Sequence, residues 1–164
     1  MKKKLRELSR LSQGDILEIG SRSGNSAEAL AKNTSHTVYC IDLWDMLTPD
    51  RRKDAYTDPQ NYKNFMRLVE KYPNIVPVKG DSKEIGKIWR IPLGLLFIDG
   101  DHSFEGAKSD YEYFSPYIIE GGFLAMHDYD MSGPRRVIDE IVTPSGLWAD
   151  CEVAGRLFTA RRVK

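Results

Sequence analysis

Short apolar runs recur along the chain and end in acidic, hydroxyl or glycine residues. One of them, Leu95–Ile98, leads directly into Asp99, Gly100, Asp101 and His102. A continuous apolar run is typical of a strand buried on both faces, as in a parallel sheet covered by helices. Ligands of open α/β sheets bind outside the carboxyl ends of the strands. The pattern predicts that Asp99, Asp101 and His102 lie at the mouth of a site, and a polar turn without further role is the alternative.

Strand and helix patterns alternate along the chain. The predicted strands are Asp15–Gly20, His36–Asp42, Asn74–Gly80, Pro92–Ile98 and Phe123–Met126. The predicted helices are 2–12, Ala27–Lys32, Asn61–Lys71, Lys83–Trp89, Phe104–Tyr117 and Gly133–Val142. Ala149–Ala154 and Arg156–Arg162 predict a closing antiparallel hairpin. This order predicts an α/β fold with a doubly wound, mostly parallel sheet, helices on both faces and a terminal antiparallel strand.

Length and charge narrow the class of protein. The 164 residues predict a single domain, with an N-terminal helix over 1–13 and a core over 14–164. The 24 basic residues balance the 24 acidic ones, so no overall field attracts nucleic acid. The basic N-terminus lacks the apolar stretch of a signal peptide, and no segment has the length of a membrane span. We expect a cytoplasmic protein that binds neither nucleic acid nor membranes.

The first predicted strand is followed by a glycine turn and a helix. Gly20 allows a sharp turn, and Gly24 allows the close approach of a ligand or of the helix. Arg22 stands where a dinucleotide-binding turn has its middle glycine, which argues against a nicotinamide-dependent oxidoreductase. An ordinary turn between strand and helix remains the alternative.

Acidic residues also follow the second and third predicted strands. Asp42 can accept hydrogen bonds from both hydroxyls of a ribose, or it can cap a loop. Asp81 and Ser82 can contact an adenine edge, although capping of the next helix is slightly favoured. Residues 43–60 predict a long connection, either a binding loop over the sheet or a solvated loop.

These residues resemble the class I S-adenosylmethionine-dependent methyltransferases over 15–162. The resemblance rests on Leu17–Gly20 with Gly24, on Asp42, on Gly80–Ser82, on Gly121-Gly122 before the fifth strand, and on the terminal strand pair. The stretch Ile98–Gly106, with Gly121-Gly122 and His127–Tyr129, is similar to a subgroup of macrocin-type sugar O-methyltransferases and cephalosporin-hydroxylase-like proteins. That subgroup is generally metal-dependent, and its fold is Rossmann-like with seven strands.

The resemblance implies a role for each matching residue in cofactor binding. Gly20, Ser21, Gly24 and Asn25 would line the methionine part of S-adenosylmethionine, with Glu18 supporting the loop. Asp42 would bind the ribose hydroxyls, and Asp81 and Ser82 would reach the adenine.

The resemblance also implies a metal site and a base. Asp99 and Asp128 would hold Mg²⁺, with Asp101 or His127 completing the ligands, and a coordinating His127 would favour Mn²⁺. The ion would lower the pKa of an acceptor hydroxyl, and His102 would take its proton. The predicted reaction is O-methylation of a sugar, another small molecule or a glycan, with Asp99 and His102 as catalytic residues.

Other functions remain open at this stage. The chain could be a cofactor-binding module without activity, or a metal-dependent hydroxylase or hydrolase. The latter needs more ligands than Asp99 and Asp128, and no further histidine cluster is visible. A homo-oligomer is left open.

Overall fold

The computed structural model describes residues 1–44 and 59–164. Its strands are β1 Ile16–Ile19, β2 Val38–Asp42, β3 Ile75–Lys79, β4 Leu93–Ile98, β5 Ile118–Met126, β6 Trp148–Ala154 and β7 Leu157–Arg162. Its α-helices are α1 Lys2–Leu11, α2 Asn25–Ala31, α3 Pro59–Lys71, α4 Ser82–Ile88, α5 Phe104–Phe114 and α6 Ser132–Val137. Short 3₁₀ turns at Ser115–Tyr117 and Thr143–Ser145 and a π-helical turn at Ile138–Val142 complete the regular structure.

The seven strands form one sheet in the order β3-β2-β1-β4-β5-β7-β6. Strands β1 to β5 pair in parallel, whereas β7 runs antiparallel to both β5 and β6. The predicted Rossmann-like, doubly wound sheet with a terminal antiparallel strand is therefore confirmed. The order reverses beside β1, and this is the position where open α/β sheets bind their ligands.

Alternate residues of the central strands enter two separate apolar cores. Leu96 and Ile98 of β4 pack with α4, α5 and α6 on one face of the sheet. Leu95 and Phe97 pack with α1, α2 and α3 on the other face. Because both faces are covered, β4 is buried at every position, as its continuous apolar run predicts.

The start of β5 differs from the prediction. The strand begins at Ile118, so Gly121 and Gly122 lie inside it rather than in a turn before it. The pairing of β4 with β5 shifts register between Leu93 and Leu95. A Cβ on Gly122 would lie 3.1 Å from the carbonyl oxygen of Gly94, so a glycine lets the irregular strands approach.

Two predicted helices end earlier than expected. Helix α5 gives way to a 3₁₀ turn at Ser115, where Pro116 has no backbone N–H for the next helical bond. Helix α6 continues as a π-helical turn after Val137. Most of the predicted connection 43–60 lies outside the described residues.

Helix α1 is amphipathic and packs on α2. Leu5 and Leu8 are buried, and the Ser9 hydroxyl donates a hydrogen bond to the carbonyl oxygen of Leu30. Within the described ranges, neither α1 nor any other helix is both long enough and apolar enough to cross a membrane.

Candidate active site

A cleft of about 760 Å³ lies at the carboxyl ends of the parallel strands. Its size falls within the range of about 300–1,000 Å³ that is usual for small-molecule sites. Its walls include most of the predicted site residues: Gly20, Ser21, Asn25, Asp42, Asp81, Ser82, Asp99, Asp101, His102, His127 and Asp128. Glu18 lies beneath this surface, and Gly24 packs against α3.

The turn between β1 and α2 is pressed against the end of β4. Gly20 has φ of +90°, and a Cβ there would lie 2.1 Å from the carbonyl oxygen of Asp99. Only glycine fits this position, because the contact is with backbone that cannot move aside. The side chain of Ser21 is buried in the cleft wall, and its hydroxyl has no hydrogen-bond partner among the described residues. A buried hydroxyl of this kind can bind a polar group of a ligand.

Glu18 is fully buried under this turn. One carboxyl oxygen lies 3.4 Å from the Cys40 sulfur, and the other has no partner in the described part of the chain. Burial raises the pKa of Glu18 to about 7, against the opposing effect of the Ser26, Ser21 and Cys40 side chains. The carboxyl group therefore titrates close to neutral pH.

Asp42 is held by backbone amides on both sides. Its Oδ2 accepts from the amide of Arg22 at 2.8 Å, and its Oδ1 accepts from the amide of Trp44 at 2.7 Å. Each oxygen keeps a further lone pair for a ligand hydroxyl. The indole of Trp44 is buried against Phe65 and donates to the Arg22 carbonyl oxygen at 2.7 Å. Asp42 is thus fixed at the tip of β2, where a ribose would need it.

Asp81 and Ser82 begin α4, and the slightly favoured capping interpretation of Asp81 is confirmed. The Asp81 carboxylate accepts from the amide of Lys83 at 2.8 Å. The Ser82 hydroxyl donates to Asp110 at 2.6 Å. Both residues also line the cleft, so their predicted contact with adenine stays a prediction.

Asp110 is a cleft residue that the sequence reasoning missed. It lies on α5, is only 3% exposed, and has its pKa raised to about 7 by burial. One signal could have found it. Asp110 falls on the same helical stripe as Ala107, Tyr111 and Phe114, and a lone acid on an apolar stripe needs a partner.

Two carboxylates and two histidines meet at the ends of β4 and β5. Nδ1 of His127 lies 3.1 Å from Oδ1 of Asp99 and 3.1 Å from Oδ1 of Asp128. Nε2 of His102 lies 2.7 Å from Oδ2 of Asp128. Ligand atoms of Asp99, His102 and Asp128 all fall within 4.8 Å of one another, a spacing that fits a metal ion. The neighbouring parallel strands bring these residues together.

The donor set fits a divalent cation. Carboxylate oxygens are preferred by Mg²⁺, and an imidazole ligand extends the choice to Mn²⁺. The hydrogen bond to Asp99 is the main cause that raises the pKa of His127, while burial opposes it. Asp101 instead accepts from the amide of Ser103 at 2.9 Å, ahead of α5.

Arg156 is the second cleft residue that was missed. It lies in the turn between β6 and β7, and its Nη2 is 2.5 Å from Oδ1 of Asp128. Its Nε is 2.8 Å from Oδ1 of Asp130. No local sequence pattern marks it, because the contact depends on β7 pairing with β5.

The sequence of the chain matches one family of known proteins. Residues 17–129 match the sequence model of a family described as a methyltransferase domain. The match spans β1 to the residues just after β5, and so includes both the glycine turn and the carboxylate cluster.

Solved structures of the same fold include three methyltransferases that are described as O-methyltransferases. The O-methyltransferase NovP has a TM-score of 0.77 and 14% identity, over 99% of this chain and 79% of its own. CalS11, a calicheamicin methyltransferase also described as a TDP-rhamnose 3'-O-methyltransferase, has a TM-score of 0.74 and 16% identity, over 98% and 76%. An O-methyltransferase from Bacillus cereus in complex with SAH has a TM-score of 0.71 and 18% identity, over 99% and 80%.

Proposed function

Because the chain belongs to the methyltransferase-domain family and is an S-adenosylmethionine-dependent methyltransferase, we propose that it methylates a sugar hydroxyl with the help of a divalent cation. The observation that carries this proposal is the meeting of Asp99 and Asp128 at adjacent strand ends, beside His102 and in the same cleft as Asp42. A bound cofactor and a chelated hydroxyl would share one cavity.

The half of the cleft around β1 and β2 suits the cofactor. S-adenosylmethionine supplies an activated methyl group on its sulfonium sulfur. The Asp42 carboxylate, already oriented by two amides, is available to the ribose hydroxyls. The buried Ser21 hydroxyl, which has no hydrogen-bond partner in the described ranges, is available to the amino-acid end of the cofactor. Ser82 with Asp110 forms a polar wall on the β3 side.

The half around β4 and β5 suits the acceptor. A cation held by Asp99 and Asp128 would lower the pKa of a hydroxyl bound to it. His102 is the candidate base, since its imidazole is partly exposed in the cleft and is oriented by Asp128 at 2.7 Å. His127 is packed between both carboxylates and is placed to position them, and its role as a further ligand stays a prediction.

The sugar is the most specific part of the proposal. It is supported by the activity named for CalS11 and by the group formed by Asp99, His102 and Asp128, since an ion held there could be chelated by neighbouring hydroxyls of a sugar. A small-molecule or glycan acceptor, the absence of nucleic-acid and membrane partners, a cytoplasmic location and a homo-oligomer all stay predictions.

The first experiment is a calorimetric titration with S-adenosylhomocysteine and with NAD, each with and without Mg²⁺. We expect micromolar binding of S-adenosylhomocysteine and none of NAD. Transfer of a labelled methyl group is then measured to free sugars, nucleotide sugars, a catechol and an RNA oligonucleotide, with and without EDTA.

Metal-dependent transfer to a sugar supports the proposal. Transfer that survives EDTA excludes metal assistance, and transfer only to RNA excludes a sugar as the acceptor. The alternative of a cofactor-binding module without activity is tested by comparing the wild type with His102→Ala. If His102 is the base, the variant binds S-adenosylhomocysteine normally but loses the methyl transfer that the wild type performs.

A further inference from the structure

Arg156 places a guanidinium on one of the carboxylates that would hold the metal. We propose that Arg156 competes with the divalent cation for Asp128 and so sets the metal affinity of the site. The inference deepens the proposed function and rests on it.

The contact is made by a turn that is tied to the site. The amide of Tyr129 donates to the Arg156 carbonyl oxygen at 3.1 Å, which holds the β6–β7 turn beside the end of β5. Nη2 of Arg156 then reaches Oδ1 of Asp128 at 2.5 Å, and Nε reaches Asp130 at 2.8 Å.

The oxygens of Asp128 are already engaged. Oδ1 lies within 2.5 Å of Arg156 and 3.1 Å of His127, and Oδ2 lies 2.7 Å from His102. A carboxylate offers about four lone-pair positions, two on each oxygen, and Mg²⁺ needs one of them directly at about 2.0–2.1 Å. Arg156 and His127 occupy both positions of Oδ1, whereas Oδ2 keeps one position beside His102. A cation that binds Asp128 through Oδ1 must therefore displace one of these two neighbours.

Arg156 is the neighbour that can leave at least cost. Its side chain is 53% exposed, whereas that of Asp128 is 6% exposed. It keeps Asp130 as a second carboxylate partner after release. Its positive charge also repels a divalent cation at the same oxygen, which an imidazole in its neutral form does not.

The test measures Mn²⁺ binding to the full chain by calorimetry and by electron paramagnetic resonance, without acceptor. The variants are Arg156→Gln, Arg156→Lys and Arg161→Gln. Arg161 is a matched control, because it pairs with Asp150 at 2.7 Å on the same hairpin but does not line the cleft.

We expect Arg156→Gln to bind Mn²⁺ at least tenfold more tightly than the wild type, with Arg161→Gln unchanged. Arg156→Lys, which keeps the charge but loses the guanidinium fork, should tighten binding about threefold and serves if the glutamine variant does not fold. Binding that appears only in Arg156→Gln would equally support the proposal.

Unchanged or weaker binding in both Arg156 variants overturns the proposal, and so does equal tightening in Arg161→Gln. In those cases the metal site itself stands if wild-type binding is lost in Asp128→Asn. Absence of Mn²⁺ binding in the wild type and in every Arg156 variant instead refutes the metal-assisted function together with this inference.

Discussion

Single residues at this site act through partners that lie far away in sequence. Asp42 is fixed by the amide of Arg22, and Ser82 is bound to Asp110. The sequence marks Asp42 because it follows a strand pattern at the distance expected from a glycine turn. The sequence does not identify Asp110 and Arg156 as site residues, because their placement depends on contacts between separate elements of the fold.

Asp42→Asn is predicted to weaken the binding of S-adenosylhomocysteine by more than tenfold, or about 1.4 kcal/mol. The asparagine keeps one acceptor for the turn but loses the charge and one oxygen that face the ribose. Calorimetry gives the affinity, and a thermal melt checks the fold. Asp150→Asn, an exposed acid on β6, is the control, and an unaltered affinity in Asp42→Asn would remove Asp42 from the binding site.

Glu18→Gln is predicted to change how stability depends on pH. Since the folded pKa is raised from 4.5 to about 7, the wild type gains stability from the protonated group at low pH and loses it as pH rises through 7. Each pH unit in this window changes the free energy of unfolding by up to about 1.4 kcal/mol.

The glutamine variant cannot ionise at this position, so its stability relative to the wild type should rise between pH 5 and pH 8. Urea denaturation at several pH values measures this difference. A constant difference across that range would mean that Glu18 is ionised in the folded protein.

At the scale of elements, strands were easier to predict than their ends. Apolar runs such as Leu93–Ile98 identify the buried strands, because both faces of the sheet are covered. The early start of β5 at Ile118 could not be read from Gly121 and Gly122, since it depends on the pairing with β4. Residue types that favour turns, such as glycine, can lie inside a strand where its pairing is irregular.

Gly20→Ala is predicted to destabilise the protein by more than about 2 kcal/mol and to abolish cofactor binding. The added carbon collides with the Asp99 carbonyl oxygen, so the turn and the end of β4 must separate. Gly146→Ala is the matched control, because Gly146 also has positive φ but open space around it. The control should lose only about 1 kcal/mol in denaturation and should bind S-adenosylhomocysteine normally.

At the scale of the whole molecule, one cleft contains two chemically different halves. The half proposed for the cofactor is built from β1, β2 and β3, and the half proposed for the acceptor from β4, β5 and the β6–β7 turn. The overall topology was predictable because the alternation of strands and helices allows few arrangements. The contact between Arg156 and Asp128 was not predictable, because it depends on how the closing hairpin packs beside β5.

Asp128→Ala is predicted to abolish metal-dependent turnover while the affinity for S-adenosylhomocysteine stays within about twofold of the wild type. Within residues 1–44 and 59–164, the side chain of Asp128 contacts His102, His127 and Arg156, all on the acceptor side, so its loss should leave cofactor binding unchanged. Calorimetry measures the affinity, and labelled methyl transfer measures turnover. Full turnover in this variant would exclude the proposed metal site.

The buried indole of Trp44 is placed to report on the cleft by its fluorescence. Its N–H is bonded to the carbonyl of Arg22, in the turn that faces the cofactor half, and its amide is bonded to Asp42. The chain has three tryptophans, and the indoles of Trp89 and Trp148 are bonded elsewhere. A protein with phenylalanine at those two positions would keep Trp44 as its single tryptophan, one hydrogen bond away from Asp42. Binding of a ligand at Asp42 could then be followed by tryptophan emission in real time without a label.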